Sequence, residues 1–197
     1  MEMKNVIAAA LVAASLPASS VGAESSDGCY TGDHETGVLE FSGAVEGSGF
    51  TGRFGEFSVS YCMAGGDPAG GEIDVDVELA TADTDNRDRD QTLKGEEFFA
   101  VEQYPRATWN SLAIERDGDE YIADGELKLK GIVAAQTIRF TLEPEGEAVV
   151  ARGEFTMLGG AEVDRQRFNV GTGEFADPEF VRNRVDVSFE VLMSAKE

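Results

Sequence analysis

Residues 71–80, GEIDVDVELA, set Ile73, Val75, Val77 and Leu79 on one side of the chain and Glu72, Asp74, Asp76 and Glu78 on the other. A period of two with one apolar and one charged face predicts a half-buried antiparallel strand. The acidic row reads as a solvated face, since side chains spaced along one exposed strand do not converge on an ion. The same rhythm recurs over 38–45, 54–61, 107–115, 120–129, 137–142, 152–157 and 184–192. Turn-forming clusters stand between the runs: DGD at 117–119, EPEGE at 143–147 and GG at 159–160. Eight or so strands at this spacing predict a sandwich or a closed barrel. Glycines inside strand-like runs, as in SGAVEGSGFTGRFG, favour the bends and bulges of a small barrel.

One stretch breaks the rhythm. DTDNRDRDQTLKGEEFFAVEQYP, residues 83–105, is dense in acids and ends in a phenylalanine pair and a proline. Read as a calcium loop from Asp83, it places Arg87 at the fifth position, Asp88 where a glycine is required and Lys94 where the bidentate glutamate belongs. Two cations inside the loop would oppose the ion, so no metal site is expected. The pattern predicts instead a short helix capped by an aspartate near Asp88 to Asp90, with Leu93, Phe98 and Phe99 turned inward.

The N-terminus changes the picture of where the protein works. Lys4, an apolar run from Val6 to Leu16 and the small-x-small pattern Val21-Gly22-Ala23 predict a cleaved secretory signal over residues 1–23. Residues 24–35 then read as an N-terminal tail and 36–197 as one domain, with the periplasm as the expected compartment of a bacterial chain. An even count of two cysteines in an oxidising compartment predicts a Cys29–Cys62 disulfide.

Composition excludes several functions. With 16 basic against 38 acidic residues the formal charge is -22, which speaks against nucleic-acid and anionic-membrane partners. The single histidine, His34, has no serine or cysteine partner at recognisable spacing. No nucleophile elbow, zinc-protease or dinucleotide fingerprint occurs, so no catalytic residue and no cofactor is expected.

The stretch TDNRDRDQTLKGEEFFAVEQYPRATWNS resembles the signature of the YceI family through Asn86, Arg89, Asp90, Leu93, Phe98, Phe99, Tyr104, Pro105, Trp109 and Ser111. FTGRFGEFS at 50–58, DGELKLKGI at 124–132, VDRQRFNVG at 163–171 and RVDVSFEVL at 184–192 flank it in order, so that the resemblance spans about residues 36–194. It implies an all-β fold, an eight-stranded antiparallel lipocalin-like barrel with a short helix and lid beside it, in a family whose described members bind a polyisoprenoid chain. The chain departs from the family pattern at VAAQTI, residues 133–138, where a threonine, a basic residue and a proline are common.

The expected function is a secreted carrier or sequestering protein for an isoprenoid lipid or quinone, with no enzymatic activity. The inward-facing candidates for ligand contact are Phe41, Phe54, Phe98, Phe99, Trp109, Leu127, Leu129, Phe140, Phe155 and Phe189. Arg89 and Asp90 are expected to form a salt bridge or helix cap rather than to hold a headgroup. The alternative is a protein-interaction module whose barrel is filled by its own side chains, acting beside a membrane cytochrome of the b561 type.

Overall fold

The computed structural model describes residues 28–144 and 153–196. The signal segment predicted over 1–23 lies outside the described residues. Among the described residues eleven strands form one sheet: β1 (Gly28–Asp33), β2 (Gly37–Val45), β3 (Ser48–Phe54), β4 (Phe57–Met63), β5 (Glu72–Glu78), β6 (Ala82–Asp83), β7 (Arg106–Asp117), β8 (Glu120–Leu129), β9 (Ile132–Glu143), β10 (Glu154–Asp164) and β11 (Arg184–Ala195). Among the described residues one α-helix, α1 (Arg87–Lys94), stands between β6 and β7.

The eleven strands act as eight. β1 pairs with β4 while β2 pairs with β3, and β4 pairs with β5 while β3 pairs with β6. β1 with β2, β4 with β3, and β5 with β6 are therefore three long strands, each bent near its middle. From β5 onward the pairing is sequential through β7, β8, β9, β10 and β11. β11 then returns to β2 along its length and to β1 through Tyr30 and Thr31, which closes the barrel. The closed form follows the glycine-rich early strands: Gly37 and Gly52 sit where a side chain would collide with Val191 and Phe41, respectively.

Three local expectations need correction. Residues 28–33, read as tail, are the first half of a barrel strand, in register with β4 from Gly28 opposite Met63 to Asp33 opposite Ser58. Gly159 and Gly160 form no turn but lie inside β10, because a Cβ at Gly159 would strike the Phe189 ring and the Arg139 carbonyl oxygen. The cap of α1 is Asn86, whose side chain accepts from the Arg89 amide, rather than an aspartate.

The predicted disulfide is present. Cys29 and Cys62 face each other directly across β1 and β4 and are bonded, with sulfurs 2.11 Å apart. The acidic outer row of β5 also does more than meet water, since Asp76 accepts from Arg106 at 2.6 Å and Asp74 from the Asn110 side chain. Both partners sit on β7, so the row fastens one strand to the next.

The two ends of the barrel differ. One end is filled by Tyr30, Tyr61, Tyr121, Phe140 and Phe155, all at most 5% exposed. Their rings stack in chains, with Tyr121 on Phe140 at 5.2 Å and Tyr30 edge-on to Phe155 at 4.9 Å. The Tyr61 hydroxyl donates to the Pro68 carbonyl at 2.7 Å, which ties the 3-10 turn Pro68–Gly70 to this end. At the other end two seams open: α1 and the segment after it separate β6 from β7, and the β9–β10 pairing stops at Gly160 opposite Arg139.

Candidate ligand-binding site

Inward positions follow strand parity, so each strand contributes every second residue to the interior. Beyond the tyrosine-closed end these residues leave a cavity of about 220 Å3. Its wall is made by Leu39 and Phe41 of β2, Phe57 and Val59 of β4, Ile73, Val75 and Val77 of β5, Trp109 of β7, Leu127 and Leu129 of β8 and Val185, Val187, Phe189 and Val191 of β11, among others. Nearly every group is apolar. The polar exceptions are Gln136, Arg165 and Arg182.

The post-helix segment covers one seam. Leu93, Phe98 and Phe99 face the cavity, and Phe99 packs on Phe54 with ring centres 6.2 Å apart. Phe98 packs at a tilt against Phe175, with ring centres 5.0 Å apart, in the connection between β10 and β11. Lys130, in the turn between β8 and β9, donates to the carbonyls of Glu97 and Asn169 and so joins the two covering segments. Partial burial lowers the Lys130 pKa, against the opposing pull of the Glu97 carboxylate.

Arg89 and Asp90 converge on Thr84 instead of pairing with each other. The Thr84 hydroxyl donates to Asp90 at 2.6 Å and accepts from the Arg89 Nε at 2.8 Å, while a second guanidinium nitrogen donates to the Thr84 carbonyl. The Thr84 amide also donates to Asp90. This network sets the start of α1 against β6 and leaves both charges committed.

The β10–β11 connection is organised by Arg165, which is only 3% exposed. Its guanidinium donates to the carbonyls of Val170, Gly171, Phe175, Val181 and Arg182, over distances from 2.7 to 3.2 Å. Burial lowers its pKa, partly offset by the adjacent Asp164 carboxylate. A cation whose donors all end on carbonyls holds 165–182 as one cap over the cavity.

Gln136 is inward on β9, in the row Ile132, Ala134, Gln136, Ile138, Phe140 and Leu142. Its side-chain nitrogen donates to the carbonyls of Thr137 and Glu162, bridging the seam where β9 and β10 separate. Trp109 donates its indole N–H to the Gln136 backbone carbonyl at 2.9 Å. The indole lies over Gly125 of β8, where a Cβ would overlap it.

Eight of the sequence-derived contact residues line the cavity: Phe41, Phe54, Phe98, Phe99, Trp109, Leu127, Leu129 and Phe189. Phe140 and Phe155 do not line it. They are 2% and 1% exposed and form the aromatic plug with Tyr61 and Tyr30. Sequence reasoning overlooked Gln136 and Arg165. For Gln136 the signal was present, as a lone amide on the apolar parity of its strand. For Arg165 there was none, because its partners are backbone carbonyls.

A family model of the YceI-like domain matches residues 30–193. The chain belongs to the YceI-like family. The protein YceI of Escherichia coli O157:H7 is 29% identical over 96 residues, and a UPF0312 protein of Yersinia pestis (strain Pestoides F) is 30% identical over 95. These alignments cover 49% and 48% of this chain, and the chain spans about half, 50%, of each relative's length. Among solved structures, Burkholderia cenocepacia BcnA is similar with a TM-score of 0.71 at 25% identity, covering 79% of this YceI-like chain and 95% of its own. A polyisoprenoid binding domain from Saccharophagus degradans, implicated in plant cell wall breakdown, has a TM-score of 0.63 at 14% identity, covering 87% of this chain and all, 100%, of its own. At that identity the likeness speaks for the fold.

Proposed function

We propose that this YceI-like protein is a carrier or sequestering protein that takes one isoprenoid-type lipid, a polyprenyl chain or the tail of a quinone, into the barrel. The observation that carries the reading is the continuous apolar cavity between the aromatic plug and the cap held by Arg165. Membership of the YceI-like family and the similarity to a polyisoprenoid-binding domain support it. The protein acts as a binder and not an enzyme. It works in the periplasm, reached through the predicted N-terminal signal.

Binding draws on apolar burial. At about 0.8 kcal/mol per buried methylene, each five-carbon unit contributes about 4 kcal/mol before the cost of ordering the chain. A cavity of about 220 Å3 is smaller than the roughly 300–1,000 Å3 of sites that enclose a drug-sized ligand, which limits it to one slender ligand. The cavity-lining phenylalanines, Trp109, Leu127 and Leu129 are the proposed tail contacts. An interaction module beside a membrane cytochrome would need an interior filled by its own side chains, a condition met only at the tyrosine end.

Native mass spectrometry of the mature protein purified from its own host, with extraction and identification of bound lipid, tests the reading. An isoprenoid at about one per chain is expected. A ligand-free mass that takes up neither added ubiquinone nor polyprenyl phosphate would overturn it.

A further inference from the structure

Among the described residues only two buried side-chain polar atoms lack a hydrogen-bond partner, the Gln136 Oε1 and the Asn183 Oδ1. Gln136 is the one that also lines the cavity, and it is 8% exposed. Its amide orientation is fixed by chemistry. The nitrogen faces two carbonyl oxygens, of Thr137 at 3.0 Å and Glu162 at 3.1 Å, and turning the amide over would set oxygen against oxygen at both. The free oxygen is therefore an acceptor and nothing else.

A buried acceptor without a partner costs free energy that a donor brought by a ligand returns. The neighbouring indole of Trp109 does not fill this role, since its N–H is spent on the Gln136 backbone carbonyl. Arg165 does not either, because all of its hydrogen bonds run to the carbonyls of the cap. Elsewhere the wall offers apolar groups and the side chain of Arg182, which is directed to Asp186 at 3.2 Å and to the Arg184 carbonyl at 3.0 Å.

We propose that the Gln136 side-chain oxygen accepts a hydrogen bond from a hydroxyl carried by the bound lipid, so that the cavity selects apolar chains bearing an alcohol or phenol over chains that only accept. The inference rests on the carrier reading and narrows its ligand class. A prenyl alcohol or a hydroquinone satisfies Gln136, whereas a hydrocarbon, a methyl ether or an oxidised quinone leaves it unpaired. A site of this kind holds the reduced form of a quinone more tightly than the oxidised form.

The test compares farnesol with its methyl ether, equal in chain and differing in the donor, using quenching of Trp109, the only tryptophan, as the signal. The wild-type protein is expected to bind farnesol about tenfold more tightly than the ether. Gln136→Met, of similar length, is expected to bind both alike. Gln136→Glu below neutral pH keeps an acceptor and is expected to retain part of the preference, and thermal unfolding of each variant shows that it is folded. Equal affinities in the wild type, or a preference that survives Gln136→Met, would overturn the proposal while leaving the carrier reading intact. Failure of the wild type to bind either compound would overturn the carrier reading and this proposal with it.

Discussion

The guanidinium of Arg89 lies over the ring of Phe50, 4.6 Å from its centre, while the same group holds the hydroxyl and carbonyl of Thr84. Phe50 lines the cavity, and Arg89 lies in the first turn of α1. One side chain thus joins the helix, strand β6 and a wall ring of β3. Arg89→Ala is expected to lower stability by about 1–2 kcal/mol, from the lost cation–π contact and the unpaired Thr84 carbonyl. Urea unfolding measures this, and ligand dissociation should become faster as the Phe50 ring loses its backing.

Arg165 is the larger single contributor to the cap. Arg165→Met would leave five carbonyl oxygens, three of them in buried hydrogen bonds and two in partly buried ones, without this donor and is expected to cost more than about 3 kcal/mol. Arg165→Lys should recover less than half, because an ammonium brings three donors from one point where the guanidinium spreads five. The midpoint of urea unfolding, followed by circular dichroism, checks both.

Strand parity made most of the barrel legible, and the exceptions have physical causes. β5 and β8 alternate cleanly because one face meets water and the other the interior. β1, GCYTGD, shows one large inward residue, Tyr30, between small ones, and so reads as tail until its pairing with β4 is seen. Gly159 and Gly160 carry a turn signal, yet they serve close approach of strands. The aromatic cavity residues were visible as inward positions. Phe140 and Phe155 were misplaced because parity says which side of a strand faces in but not which depth of the barrel is filled. The Arg165 cap was invisible, since backbone acceptors leave no trace in the sequence.

Alkaline pH should loosen the tyrosine-closed end. Burial, with smaller contributions from Tyr121 and Asp67, pushes the Tyr61 phenol well above the usual tyrosine value. The folded state therefore keeps a proton that the unfolded chain releases near pH 10. The stabilisation is complete below about pH 10 and declines above it by up to about 1.4 kcal/mol per pH unit for this one group. Urea unfolding between pH 8 and pH 11 should show the decline, and Tyr61→Phe should flatten it while lowering stability at pH 8 through loss of the bond to Pro68.

The disulfide fastens the first half-strand. β1 is paired with β4 along its length but with β11 only at Tyr30 and Thr31. Replacing Cys29 and Cys62 by serine frees a loop closed over a separation of 33 residues and is expected to cost about 3–4 kcal/mol. Hydrogen exchange in the double variant should be fastest at β1, with β8 little changed.

The central claim is that one apolar chain occupies the barrel interior, and titration of the ligand-free protein with farnesol, read by Trp109 fluorescence, tests it most directly. Ala161 lines the cavity from β10, and Ala161→Phe fills the space there. The account predicts saturation at one farnesol per wild-type chain and at least tenfold weaker binding to a folded Ala161→Phe variant. Equal binding by the two proteins would place the lipid outside the barrel and contradict the account.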